Sequence, residues 1–267
     1  MSVFHTRKFF ALHHGTHYLQ SGNVCLPIWF DGESMSPLRG TYCGFSGYGT
    51  DDMQKVIDLL PTGKCTIKLA PSGHDQRLFA ESMNVLVRNG FLIDVAELNY
   101  EREVTDSFLS QVSKGNQKCY WRKAHDTKLP PYSFLGVSAG IFSLISDNRK
   151  RKGNQLSMSF EQICEMHFAT NSVISFLVPD NSAAAICIRL SPDILYVYAW
   201  GDADNEKNSP TVYLAAHIYE YCLHEKIRLL DIGTATEKDG TPNFGLMAFK
   251  ERLGFTPSLK LTMVRHA

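Results

Sequence analysis

No two of the seven cysteines, at positions 25, 43, 65, 119, 164, 187 and 222, form a C-x-x-C pair, and their number is odd. A disulfide framework or a zinc ribbon would need tighter spacing, so these residues read as reduced thiols packed as small hydrophobes. No apolar run approaches the roughly 18 to 20 residues that cross a bilayer. The opening MSVFHTRKFFALHHG has no apolar core of a secretory signal. A cytoplasmic protein without membrane insertion is the expectation. Charge of one sign is lacking too: Lys plus Arg and Asp plus Glu both number 27. No whole-molecule field then attracts nucleic acid, and any anion contact needs a local patch.

Several motifs are also missing. There is no G-x-S-x-G and no cysteine in a recognisable nucleophile motif, so no covalent acyl-enzyme is expected. The glycine-rich stretch 36–49 follows no G-x-G-x-x-G pattern between a strand and a helix, which leaves it a loop with at most one short strand. His13, His14 and His17 are loosely spaced and lack an acidic neighbour, so no metal site is read from them.

What is present is a chain of 267 residues, 44% hydrophobic and 20% charged, enough to bury a real core in one large domain or two ordinary ones. Short β-rich runs alternate with helix-period segments. Strands are predicted at 24–30, 64–70, 91–99, 133–137, 173–178, 184–190, 194–200, 227–232 and 258–264. Helices are predicted at 51–60, 74–89, 104–113, 114–127, 139–152, 159–167, from Pro210 to about 222, and 243–253. Ser209 before Pro210 is a strong helix start. Three consecutive strands followed by helix, strand, helix and strand indicate a mixed sheet.

Three segments carry a family resemblance. Residues 108–124 (FLSQVSKGNQKCYWRKA) form a polar, basic stretch ending in Arg-Lys-Ala. Residues 142–160 (FSLISDNRKRKGNQLSMSF) follow. Residues 209–235 and 244–255 (SPTVYLAAHIYEYCLHEKIRLLDIGTA and FGLMAFKERLGF) give a Ser-Pro helix, a strand ending Asp-Ile-Gly and a helix with Phe-Lys before Gly-Phe. In this order they resemble the Fem-type (FemAB-like) peptidyltransferases within the GCN5-related N-acetyltransferase (GNAT)-like superfamily. The resemblance implies an α/β fold with a mixed sheet, a tandem of two GNAT-like acyl-CoA N-acyltransferase domains, here 1–135 and 136–267. It also implies transfer of an acyl or aminoacyl group to an amine without a covalent intermediate.

The donor implied is acyl-CoA or aminoacyl-tRNA, with no metal. The acceptor is a small-molecule or peptide amine, and the acceptor end of tRNA is a further partner. The pyrophosphate-binding loop of a simple acetyl-coenzyme A enzyme is not matched: the corresponding ADNEKNSPTV (203–212) contains no glycine. A second reading is therefore a catalytically silent protein of the same fold that binds a peptide or a cell-wall precursor.

Acyl transfer to an amine needs removal of the amine proton, stabilisation of a developing oxyanion, and orientation. The resemblance places a functional cation at Lys250, which by periodicity lies beside the stripe Leu246, Phe249, Leu253; the bland alternative is a solvated lysine. Asp231, ending a strand before Gly233 and Thr234, is a base, an orienting group or a loop cap. Asp202 after YVYAWGD has the same alternatives. Trp200 and Tyr198 pack in the core or wall a pocket. Thr234 and Trp200 join the substrate-binding candidates. Arg122 and Lys123, in the run from Lys114 to Lys128, and Arg149 and Arg151, in the run Arg149, Lys150, Arg151, Lys152, are either solvated faces or phosphate and carboxylate readers. The guanidinium groups suit bidentate contacts.

Overall fold

Tight turns and caps set most of the element boundaries. The computed structural model describes residues 2–12, 16–31, 33–36, 42–204, 209–237 and 239–266. A 3-10 turn at Val3–His5 and the short α1 (Arg7–Phe10) precede β1 (Thr16–Ser21), β2 (Val24–Asp31) and β3 (Glu33–Ser36). Next come α2 (Thr50–Asp58), β4 (Cys65–Lys68), α3 (Gln76–Arg88) and β5 (Leu92–Glu103). Asp75 starts α3 by accepting from the Leu78 N–H at 2.9 Å.

A 3-10 turn at Phe108–Gln111 leads to α4 (Lys114–Thr127), β6 (Tyr132–Leu135), α5 (Ala139–Arg151) and α6 (Phe160–Thr170). Ser159 and Gln162 form a capping box at the start of α6. The chain ends with β7 (Val173–Leu177), β8 (Ala183–Ser191), β9 (Ile194–Asp202), α7 (Pro210–His224), β10 (Leu229–Thr234), α8 (Phe244–Arg252) and β11 (Thr256–Arg265).

Two compact units result, and they are not the linear segments 1–135 and 136–267. The first comprises Met1–Asn99, Thr234–Asn243 and Pro257–Ala267, the second Tyr100–Gly233 and Phe244–Thr256. The reason is topological: β11, last in sequence, returns to pair antiparallel with β4, Val264 opposite Thr66. β5 supplies residues up to 99 to the first unit and from 100 to the second.

In the first unit the strand order is β1-β2-β3-β4-β11-β5, with β3 and β4 parallel and the β1–β2 and β2–β3 pairs antiparallel. Its core joins Leu26 and Ile28 of β2, Met53 and Val56 of α2, Ile67 of β4, Val85 and Leu86 of α3 and Met263 of β11. The stretch predicted as loop behaves partly as core: Tyr42, Cys43 and Phe45 are buried, and Cys43 bridges to Leu69. The rest of that stretch, residues 37–41, lies outside the described residues, as do His13, His14 and residues 205–208 in the middle of the glycine-free segment ADNEKNSPTV.

In the second unit the order is β5-β10-β9-β8-β7-β6. β9 and β10 are parallel and the three pairs from β9 to β6 antiparallel. α7 buries Val212, Leu214, Ala215, Ile218 and Cys222, and its Tyr219 ring lies 4.4 Å from the Arg102 guanidinium. All seven cysteines are free thiols, and only Cys119 and Cys164 are partly exposed. Among the described residues no helix is long and apolar enough to cross a membrane.

Candidate active site

A buried lysine organises the second unit. Lys250 is the one buried residue of α8 and is 2% exposed, so it sits under the helix rather than beside its apolar stripe. Leu246 and Phe249 are only half-buried. The periodicity failed here because it ranks side chains by apolarity, whereas acceptors at the end of β10 make room for an ammonium. Nζ of Lys250 donates to the Gly233 carbonyl at 2.7 Å and the Ile232 carbonyl at 2.9 Å. It also lies 5.6 Å from the centre of the Tyr100 ring.

The turn that presents those carbonyls is built by Asp231 and Gly233. Asp231 is fully buried, and its Oδ1 accepts from the Gly233 N–H at 2.7 Å. Gly233 has φ 76°, the left-handed region that favours glycine. A Cβ there would meet the Tyr196 ring at an ordinary 3.6 Å, so the backbone angle, not lack of space, requires the glycine. Glu101 of β5 is also buried and brings a carboxylate oxygen within 4.8 Å of one from Asp231.

This environment changes what Lys250 does near neutral pH. Burial drives its pKa down from 10.5 to about 7, the Asp231 carboxylate opposes that, and the Arg149 charge adds to it. Tyr100 donates to Glu251 Oε1 at 3.0 Å, and burial, helped by Glu251, pushes its phenol up to about 12.

β9 contributes three aromatic side chains, Tyr196, Tyr198 and Trp200, and a bulge between Val197 and Ala199 interrupts the alternation of the strand. Tyr196 approaches Gly233, and Trp200 packs edge-on against Phe249 of α8 at 6.2 Å. Tyr198 OH accepts from the Met158 N–H at 2.9 Å and shares a hydrogen bond with the Ser157 hydroxyl at 2.9 Å. Burial raises the Tyr198 phenol, while its hydrogen bonds and Arg149 pull the other way. From the 110–150 and 200–250 stretches, Arg149 and Asp231 are the residues whose charges act on Lys250.

The other candidates lie differently. Asp202 is tied to α5: Asn148 Nδ2 donates to its carboxylate and, at 3.0 Å, to its carbonyl. The same carbonyl accepts from Arg151 at 2.7 Å, and Lys152 Nζ is 3.9 Å from Oδ1. Gly201 admits this packing, since a Cβ there would stand 2.8 Å from that of Asn148. Arg151 is exposed. Arg122 is exposed on α4, and its neighbour Lys123 is buried with Nζ 2.7 Å from Asp180 Oδ2. Thr234, half-buried, closes β10 and falls in the first unit.

Sequence reasoning passed over Tyr100, Glu101 and Tyr196, while Gly233 was noted beside Asp231. The period-2 aromatic row in LYVYAW was the available signal for Tyr196. Nothing in NYERE marked Glu101 or Tyr100.

With this geometry described, the comparison with solved structures is decisive for the fold. The crystal structure of FemX superposes with a TM-score of 0.69 at 10% identity, covering 97% of this chain and 90% of that one. The chain has a Fem-like, tandem GNAT-like fold. The structure of L-PGS from Bacillus licheniformis is also similar, with a TM-score of 0.60 at 12% identity over 96% of this chain and 85% of the other. A tandem GNAT protein from the clavulanic acid biosynthesis pathway gives 0.51 at 12% identity over 95% and 84%. No protein-family model matches the sequence. No curated protein sequence matches it either.

Proposed function

We propose that this Fem-like protein transfers an acyl or aminoacyl group to an amine on a small molecule or peptide, with Lys250 as the charge at the reaction centre. The observation that carries the reading is a lysine 2% exposed, held at about 7 beside Asp231, in a fold shared with FemX and a tandem GNAT protein. The donor is acyl-CoA or an aminoacyl-tRNA, and the acceptor end of tRNA enters as part of that donor.

In this reading the neutral amine attacks the acyl carbonyl, a C–N bond forms, and the C–S or C–O bond to the donor breaks. The amine proton is passed on to the leaving group. Protonated Lys250 stabilises the negative charge that gathers on the carbonyl oxygen, and Asp231 orients the turn and balances the lysine. Arg149 takes an anionic part of the donor, for which a guanidinium fork is suited, and Trp200 walls the bound group. Arg122, Lys123, Arg151 and Thr234 are assigned to the margins, and Asp202 to fastening α5 on β9.

Calorimetric titration with acetyl-coenzyme A and with charged tRNA tests the donor. Binding of either, followed by turnover that Lys250→Met lowers more than tenfold, is the expected result. One observation favours the second reading, a binding protein without catalysis: two backbone carbonyls already engage the Lys250 ammonium. Silence with both donors, with a peptide amine still bound, would establish that reading instead.

A further inference from the structure

A cavity of about 390 Å³ lies in the second unit between the C-terminal half of α7 and the β6–β7 pair. Ser133 and Phe176 face it from opposite positions of the two strands. His217, Glu220, Tyr221 and His224 face it from α7, at spacings that share one side of a helix. None of these residues belongs to the surroundings of Lys250 described above.

The charges around this cavity do not balance. Glu225, also on its wall, has Arg189 at 3.5 Å. Among the described residues Glu220 has only the His217 ring as an ionic neighbour, Nδ1 to Oε2 at 3.4 Å. Burial drives His217 down to about 4, so at neutral pH that ring carries no charge. Burial also raises the Glu220 carboxyl, which is what a partly desolvated acid without a cation shows. The neighbouring phenols of Tyr120 and Tyr213 are raised by burial and then by the charge of Glu220.

Aromatic rings line the same cavity wall or pack on its residues. Tyr213 meets His217 edge-on at 4.6 Å, and Tyr221 meets Phe176 edge-on at 5.4 Å. A carboxylate lacking a counter-ion, a hydroxyl from Ser133 and aromatic faces together select a positively charged nitrogen that also donates hydrogen bonds.

We propose that this cavity binds a primary alkylammonium ion, its N–H groups on Glu220 and Ser133 and its alkyl chain against Phe176 and Tyr221. The volume accepts an ammonium head with a short chain. The ion comes either from a free amine or from a lysine side chain of a peptide, which present the same chemistry. The site stands whether or not Lys250 takes part in transfer, because it uses no donor and no reaction.

The test follows the imidazole signals of His217 and His224 by nitrogen NMR during titration at constant ionic strength. Butylammonium represents the free amine, acetyl-lysine-amide the side chain of a peptide, and butanol the neutral isostere. Saturable shifts with either ammonium and none with butanol are expected, the tighter of the two identifying the source. Glu220→Gln, at a half-exposed position where the fold tolerates it, should weaken binding about tenfold, the loss expected for one charge-assisted contact. Tyr221→Leu should weaken it independently. No saturable shift with either ammonium, an equal response to butanol, or unchanged affinity in Glu220→Gln would each overturn the proposal.

Discussion

Replacing Lys250 by methionine, a neutral chain of similar length, isolates the electrostatic cost of the buried amine. In the unfolded chain this amine has its ordinary value of 10.5, and in the fold about 7. Because the folded value is the lower one, the destabilisation is complete below pH 7, where both states are charged. It is relieved progressively as pH rises from 7 towards 10.5. At about 1.4 kcal/mol per pH unit the full cost is about 5 kcal/mol, of which about 3 kcal/mol is recovered between pH 6 and pH 9. Methionine removes that dependence but leaves the Ile232 and Gly233 carbonyls without their donor, at about 1–3 kcal/mol each. Urea denaturation of both proteins at pH 6 and pH 9 should therefore show the native protein gaining about 3 kcal/mol relative to Lys250→Met across that interval. Parallel profiles, within about 0.5 kcal/mol, would mean that the amine is not held near neutrality, and the assignment of charge at the site would fall with it.

Two further outcomes follow from neighbouring contacts. Gly233→Ala should cost about 1–2 kcal/mol in the same denaturation assay, because alanine at φ 76° is strained even where its methyl has room. Asp180→Ala should destabilise by about 1–2 kcal/mol, discounted for the 44% exposure of Asp180, since it takes a carboxylate from the buried Lys123 ammonium; Lys123→Met with Asp180→Ala should restore much of the loss, and donor affinity unaffected by the pair would place Lys123 in packing rather than in recognition.

Elements with a strong local signal were legible in the sequence. The proline-started α7 and the hairpin series β7 to β9 fall within a few residues of their predicted spans, because capping, turn residues and long apolar runs all agree there. β1 was missed: THYLQS is polar, and its described side chains are exposed or half-buried, as on an edge strand that no apolar alternation announces. The helix expected over 104–113 is instead irregular chain after the end of β5 and a 3-10 turn at Phe108–Gln111. Its apolar spacing mimics a helix, but Ser110 bonds to the Ser107 carbonyl and to Asp106, a local alternative that short polar side chains offer the backbone. The lysine of the site was found through a motif, while its burial was hidden because hydrophobic pattern says nothing of where carbonyls converge. Glu101 and Tyr100 gain meaning only when β5 is laid beside β10, a relation across more than a hundred residues.

The groups that grip Lys250 are main-chain oxygens. No exchange of the Ile232 side chain deletes such a grip; only a change in the path of the chain does. The address of this amine is therefore written in the route taken at the end of β10, and the Ile232 side chain is free to drift while Asp231 and Gly233 keep that route.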